Sequence, residues 1–229
     1  MEDIVASAGV ASAFLFMVHR VLSAVPDERP GDVHLRDLCF QTGDLILFSA
    51  NPIINVSLGT MWTHCAVAIG RGGRGEGPLL LHITKWTQVP TLECARTCIL
   101  RNLSHGTTRV YIRSRKDMAP PIEADRILRY YAETHNVAYE HAYWVPVVQR
   151  CCRALGLEFP SMAKDQSFCS PLVSGALVAA GIISQEDSDP VHDMWLPQDF
   201  VERALLDDQY LPPRRIVAVL PDPALETVD

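Results

Sequence analysis

Apolar residues fall into short clusters in the first half of the chain and into longer, helix-spaced sets in the second. Leu45 to Phe48 is a continuous apolar run entered through the turn signal Gly43-Asp44, and it predicts a buried strand. His64 to Gly70 (HCAVAIG) predicts a second strand of small and β-branched residues, reached through an irregular connection over Asn51–Trp62. The glycine-rich RGGRGEG then reads as a hairpin turn into a third strand at Pro78–Thr84 (PLLLHIT). Such a hairpin sets His64 and His82 on neighbouring antiparallel strands. Thr107–Arg113 (TTRVYIR) alternates and gives a fourth. After Pro121 the period changes, with Ile122, Ile127, Leu128, Tyr131 and Ala132 at helical spacing. Trp144–Leu155 and Cys169–Ala180 are further helix candidates, the latter stopped by Gly181. MWLPQDFVERALL supplies a short helix near Pro197, and Ile216–Pro221 a last strand. The expected class is α+β, an antiparallel sheet packed against helices.

The N-terminus stands apart. Ile4–Val18 carries no charge, yet it begins Met1-Glu2-Asp3 where a secretory signal would be basic. The run is shorter than the ~20 residues a spanning helix needs. A buried or docking helix is the favoured reading, with a membrane anchor or a signal peptide as alternatives. Pro26–Asp32 is a charged, Pro- and Gly-containing break. It divides the chain into a segment and linker at 1–30 and a domain at 31–229. The 229 residues leave room for one sizeable core.

Charge changes the picture by exclusion. A formal net charge of -7 gives no global attraction for phosphate backbones, so nucleic acid is a poor partner. The basic clusters at Arg113–Lys116 and Arg214-Arg215 read as solvated strand ends. Seven cysteines, scattered and odd in number, do not form a disulfide framework and point to a reducing, cytoplasmic compartment. Cys151-Cys152 are adjacent and Cys94 and Cys98 lie four apart, but no histidines accompany either pair at zinc-ligand spacing. His105, His135, His141 and His192 read as surface or core residues.

The sharpest chemical signal is QSFCSPLVSGALVAAG, Gln166–Gly181. Ser167 or Ser170 can cap a helix and Pro171 suits its first turn, so Cys169 sits at a helix start. Unpaired amides and the positive dipole end there favour a thiolate and can bind an oxyanion. The alternative is a cysteine that merely packs. A thiolate nucleophile needs a base and a residue to orient it. His64 can present its ring from the end of its strand, and His82 on the next strand can fix its tautomer. Either could equally be a packed polar residue in a half-buried strand.

GDLILF (Gly43–Phe48), THCAVAIG (Thr63–Gly70), LLLHIT and FCSPLVSGALVAAGI, taken in that order, resemble the circularly permuted NlpC-type papain-like fold. The histidine strand and the histidine on the next strand are similar to the lecithin:retinol acyltransferase-like proteins. The cysteine helix and the LPQDF around Pro197 look more like the YiiX-type branch, which includes poxvirus members. The resemblance spans Gln41–Phe200. It implies Cys169 as nucleophile, His64 as general base and His82 as the residue orienting that base. YiiX-type relatives commonly have a glutamate in the third place, so the histidine here departs from that branch. The implied activity is hydrolysis or acyl transfer at an amide or ester through a thioester, with an acyl-lipid or peptide substrate and no cofactor. The N-terminal segment could add a membrane contact. An idle binding or scaffold protein on the same fold is the competing expectation.

Overall fold

Buried strands with both faces covered show continuous apolar runs, and the centre of this molecule is built that way. The computed structural model describes residues 31–49, 62–70, 77–104, 108–139, 166–184, 195–202 and 206–218. The strands, in chain order, are β1 (Val33–His34), β2 (Leu45–Ser49), β3 (His64–Ile69), β4 (Leu79–His82), β5 (Thr91–Cys94) and β6 (Arg109–Arg113). β7 (Ala138–Tyr139), β8 (Gln166–Ser167) and β9 (Arg214–Val217) follow. The helices are α1 (Ala95–Ser104), α2 (Ala124–Thr134), α3 (Cys169–Ala179) and α4 (Asp199–Glu202).

Seven strands form one sheet in the order β1-β9-β6-β2-β3-β4-β5. Every pairing in it is antiparallel except β1 with β9. β7 and β8 form a separate parallel pair. The class is therefore α+β, a largely antiparallel sheet packed against helices.

Side chains alternate strictly between two cores. Leu45, Leu47, Cys65, Val67, Ile69, Leu81, Ile83 and Tyr111 face α2 and α3. Ile46, Phe48, Ala66, Ala68, Leu80, Val110 and Ile112 face α1 and the segment carrying Leu35, Leu38 and Phe40. β2 is the central strand and is buried along its whole length. Cys65, Val67 and Ile69 of β3 meet α3, which buries Leu172, Val173, Ala176 and Leu177 on that side of the sheet. A helix with apolar residues on nearly every side belongs inside the protein, as α3 does.

β5 and α1 do not stand out in the apolar pattern. Only Ala95, Cys98 and Ile99 of α1 are fully buried, and two of those three residue types are weak hydrophobic markers. The last strand begins at Arg214, earlier than the apolar run suggests. Arg113 and Arg115 correct another expectation: both are buried rather than solvated. β6 is interior to the sheet, and the chain around Leu206–Leu211 covers its end. There Arg113 Nη1 donates to the Phe200 carbonyl at 2.5 Å and Nε to the Leu211 carbonyl at 3.1 Å, with Asp207 as ion-pair partner. The N-terminal segment, the glycine-rich turn and the helix expected at Trp144–Leu155 lie outside the described residues. Among the described residues no helix is long and apolar enough to cross a membrane.

Gly43-Asp44 is more than a turn. Gly43 N donates to Ala68 O and Ala68 N to Asp44 O, both at 2.8 Å, which ties the start of β2 to β3. The buried Asp44 carboxylate accepts from Gln41 N and Arg115 N at 2.8 Å each, and Tyr210 Oη donates to Gly43 O at 2.8 Å. Burial pushes the Asp44 carboxyl up to about 6 against those donors and the nearby Arg115 charge. Gly43 holds φ +90°, and a Cβ there would stand 2.6 Å from Ile122 Cδ1. Gly43→Ala is expected to destabilise the fold by about 1–3 kcal/mol through backbone strain and overpacking. Thermal unfolding checks this, with a melting temperature lower by roughly 2–4 °C for each kcal/mol lost.

Candidate active site

The candidate site forms where the start of β3, the end of β4 and the start of α3 converge. α3 opens at Cys169, after Phe168 in extended conformation (φ -102°, ψ 177°). No side chain caps this helix. Ser167 Oγ instead donates to the carbonyl of Phe168 at 3.1 Å, and Ser170 lies at the second helical position. The expected serine cap is therefore absent. Leu172 N donates to the Phe168 carbonyl at 3.3 Å and Pro171 has no N–H, so the Cys169 and Ser170 amides stand at the positive end of the dipole.

His64 is the first residue of β3 and pairs with Phe48, whose ring lies 5.1 Å from the imidazole, centroid to centroid. Val67 pairs with Leu81, so His64 and His82 are diagonal neighbours on one face of the hairpin. Their rings meet: His64 Nε2 lies 3.3 Å from His82 Nδ1. Cys169 comes from the other side of the sheet and is within hydrogen-bonding range of both the His64 ring and the Cys65 thiol. The structure thus gathers Cys169, His64 and His82 into one cluster, although Cys169 lies far along the chain from both histidines. The expected noncatalytic His135 sits at the end of α2, with Nδ1 2.8 Å from Ala132 O. His105, His141 and His192 lie outside the described residues.

The electrostatics favour a nucleophilic sulfur. A hydrogen bond from the Cys65 thiol is the largest influence holding the Cys169 thiol well below its ordinary range; the charge and hydrogen bond of His64 act in the same direction, and burial opposes them. Cys65 is the mirror case: burial first, then its bond and proximity to Cys169, keep it a protonated donor. His82 is pushed down to about 3, mainly by burial and then by the charges on His64 and Arg101. It is neutral under ordinary conditions and so serves His64 as a hydrogen-bond partner rather than as a competing cation.

Two residues enter that the pattern of motifs does not single out. Cys65 follows His64 immediately, and strand alternation turns it to the α3 face, where it meets Cys169. Glu93 pairs across from Leu80 on the neighbouring strand and lies behind His82, its Oε2 3.4 Å from His82 Nε2. That contact falls outside hydrogen-bond geometry, and Glu93 gives both its oxygens to Arg101 at 2.7 and 2.8 Å.

Neither a protein-family model nor a curated protein matches the chain. Among solved structures it is similar to the metalloprotein YiiX from Escherichia coli O157:H7, at 11% identity and a TM-score of 0.42. The match covers 62% of this chain and 66% of that one, just under two thirds of its length. This weak neighbour is of the YiiX type.

The role of Cys65 is open to direct measurement. Removing its thiol donor with Cys65→Ala is expected to raise the Cys169 pKa by about 1–2 units, the worth of a hydrogen bond to a charged group. Iodoacetamide alkylation of Cys169, followed against pH by mass spectrometry, should show its midpoint move upward by that amount. An unchanged midpoint would show that the Cys65 contact does not stabilise the thiolate.

Proposed function

We propose that this protein is a cysteine-dependent hydrolase or acyltransferase that cleaves an amide or ester through a thioester. The observation that carries the reading is the placement of Cys169 at the start of α3, bonded to a histidine that is itself held by a second histidine. The order of the elements, histidine strand, histidine strand, then cysteine helix, supports a permuted papain-like architecture of NlpC type.

In the proposed reaction the Cys169 thiolate attacks the carbonyl carbon and a C–S bond forms. The negative charge moves to the carbonyl oxygen, where the Cys169 and Ser170 amides at the start of α3 can receive it. Protonated His64 donates its Nε2–H to His82 Nδ1, which fixes the ring and leaves Nδ1 to exchange a proton with the reacting groups. As the tetrahedral adduct collapses, His64 gives that proton to the departing amine or alcohol and the thioester remains. Neutral His64 then takes a proton from water or a second acceptor. The attack of that oxygen or nitrogen on the thioester releases the acyl group and restores the Cys169 thiolate. The substrate class is an acyl-lipid or a peptide.

A second reading, an idle site kept on the same fold, is favoured by one observation: Cys169 is only 8% exposed. An attacking sulfur must touch its substrate. Side-by-side labelling with a lipid-ester probe and an amide probe separates the two readings and identifies the acyl class. The active reading expects covalent labelling at Cys169, lost in Cys169→Ala, and a kcat/KM lowered by about 10²–10⁴ in His64→Ala. Turnover that survives Cys169→Ala would remove the nucleophile assignment. No labelling by either probe, with the fold intact, would favour the idle site.

A further inference from the structure

The second nitrogen of His82 faces away from the sulfur. Nδ1 meets His64, while Nε2 is buried and has no hydrogen-bond partner. The side chain is 2% exposed, so water does not compensate. A buried polar atom left without a partner in this way is costly to the fold. What Nε2 faces is a cluster of donors for a cation. Glu93 on β5 and Cys98 in α1 stand beside it, and their ligand atoms and His82 Nε2 all lie within 4.8 Å of one another.

We propose that His82, Glu93 and Cys98 form a binding site for a divalent transition metal, with zinc as the best-matched ion. The set combines an imidazole, a carboxylate and a thiol, the mixed nitrogen, oxygen and sulfur ligation that zinc accepts in three-ligand sites. Zinc–nitrogen and zinc–oxygen bonds of about 2.0–2.2 Å at a tetrahedral angle put the two atoms about 3.4 Å apart. His82 Nε2 and Glu93 Oε2 are 3.4 Å apart. That spacing, which is poor for a hydrogen bond, suits two ligands of one ion. The Cys98 sulfur, within 4.8 Å of both, completes a three-residue ligand set.

The neighbours are arranged to support such ligands. Asn102 Nδ2 and Arg101 Nη2 approach the Cys98 sulfur at 3.8 and 4.0 Å, and the Arg101 charge opposes the burial and the Glu93 charge that otherwise keep the metal-free thiol protonated. Arg101 grips Glu93 with two bonds, but its side chain is half exposed. Nη2 can therefore release Oε2 to the metal while Nη1 keeps Oε1, which orients the ligating carboxylate from behind. The metal also supplies the partner that His82 Nε2 lacks. With Nε2 coordinated, the His82 proton sits on Nδ1, so His82 is the donor to a neutral His64, and the imidazolium form of His64 that donates to His82 belongs to the metal-free site. One ring then connects the metal site to the cysteine centre. The metal assignment itself does not depend on catalysis at Cys169.

The test uses the full chain, stripped with a chelator and titrated with zinc sulfate against a chromogenic chelator. Wild-type protein is expected to bind one equivalent. Cys98→Ser and Glu93→Gln should each weaken it by at least the ~10–100-fold that loss of a residue behind the ligands costs. Cys94→Ser, whose sulfur is not among the three donors, should bind as wild type does. Cobalt substitution gives a readout independent of how the variants fold: wild-type protein should show a thiolate-to-cobalt charge-transfer band. Failure of the wild type to bind zinc, zinc affinity unchanged in Cys98→Ser, or a cobalt spectrum without that band would each overturn the site.

Discussion

The close packing of α3 on β3 is the contact on which the rest of the arrangement depends. α3 is apolar on nearly every side, so it must be covered, and the sheet face made by Val67, Leu81 and Tyr111 covers it. The helix settles on Cys65, Val67 and Ile69, the residues that β3 presents to that face. Once it settles, the start of the helix lies at the start of the strand. Cys169 and His64 are both first residues of their elements, and they are brought together by an interface whose driving force is hydrophobic. The polar contacts of the site add direction and proton affinity to a meeting that the core has already arranged.

Much of this was legible in the chain. Leu45–Phe48 and His64–Gly70 read as buried strands because both faces of the sheet are covered, which produces uninterrupted apolar runs instead of alternation. The glycine-rich connection between His64 and His82 marks a hairpin, and β3 and β4 do pair antiparallel, in a register that the pattern itself does not give. Cys169 stands out because Pro171 and the apolar run after it announce a helix start. Other features leave no local trace. α1 presents only Ala95, Cys98 and Ile99 to the core, too few and too mild to set a period. Arg113 looks like a solvent-facing strand end because its burial depends on carbonyls from Phe200 and Leu211, nearly a hundred residues later.

The same distinction governs the chemistry. Motif spacing finds residues that a single element presents together, as zinc-finger patterns do. His82, Glu93 and Cys98 come from two adjacent strands and the helix that follows them, and their convergence is a product of sheet register and helix packing. Cys65 was hidden for the opposite reason. It is next to His64 in sequence, and adjacent strand residues point to opposite faces. Only the position of Cys169, around the end of the strand, allows one sulfur to meet both neighbours.

The knot at Gly43 and Asp44 grips β3 at Ala68, four residues from His64. At the rise of an extended strand that is roughly 13 Å from the imidazole. Shape and chemistry therefore occupy opposite ends of the same hairpin and draw on different side chains. Descendants of such a molecule can change the end that holds Cys169 and His64 while the anchored end goes on specifying the fold. A protein organised this way can pass between catalyst and inert binder without passing through an unfolded ancestor.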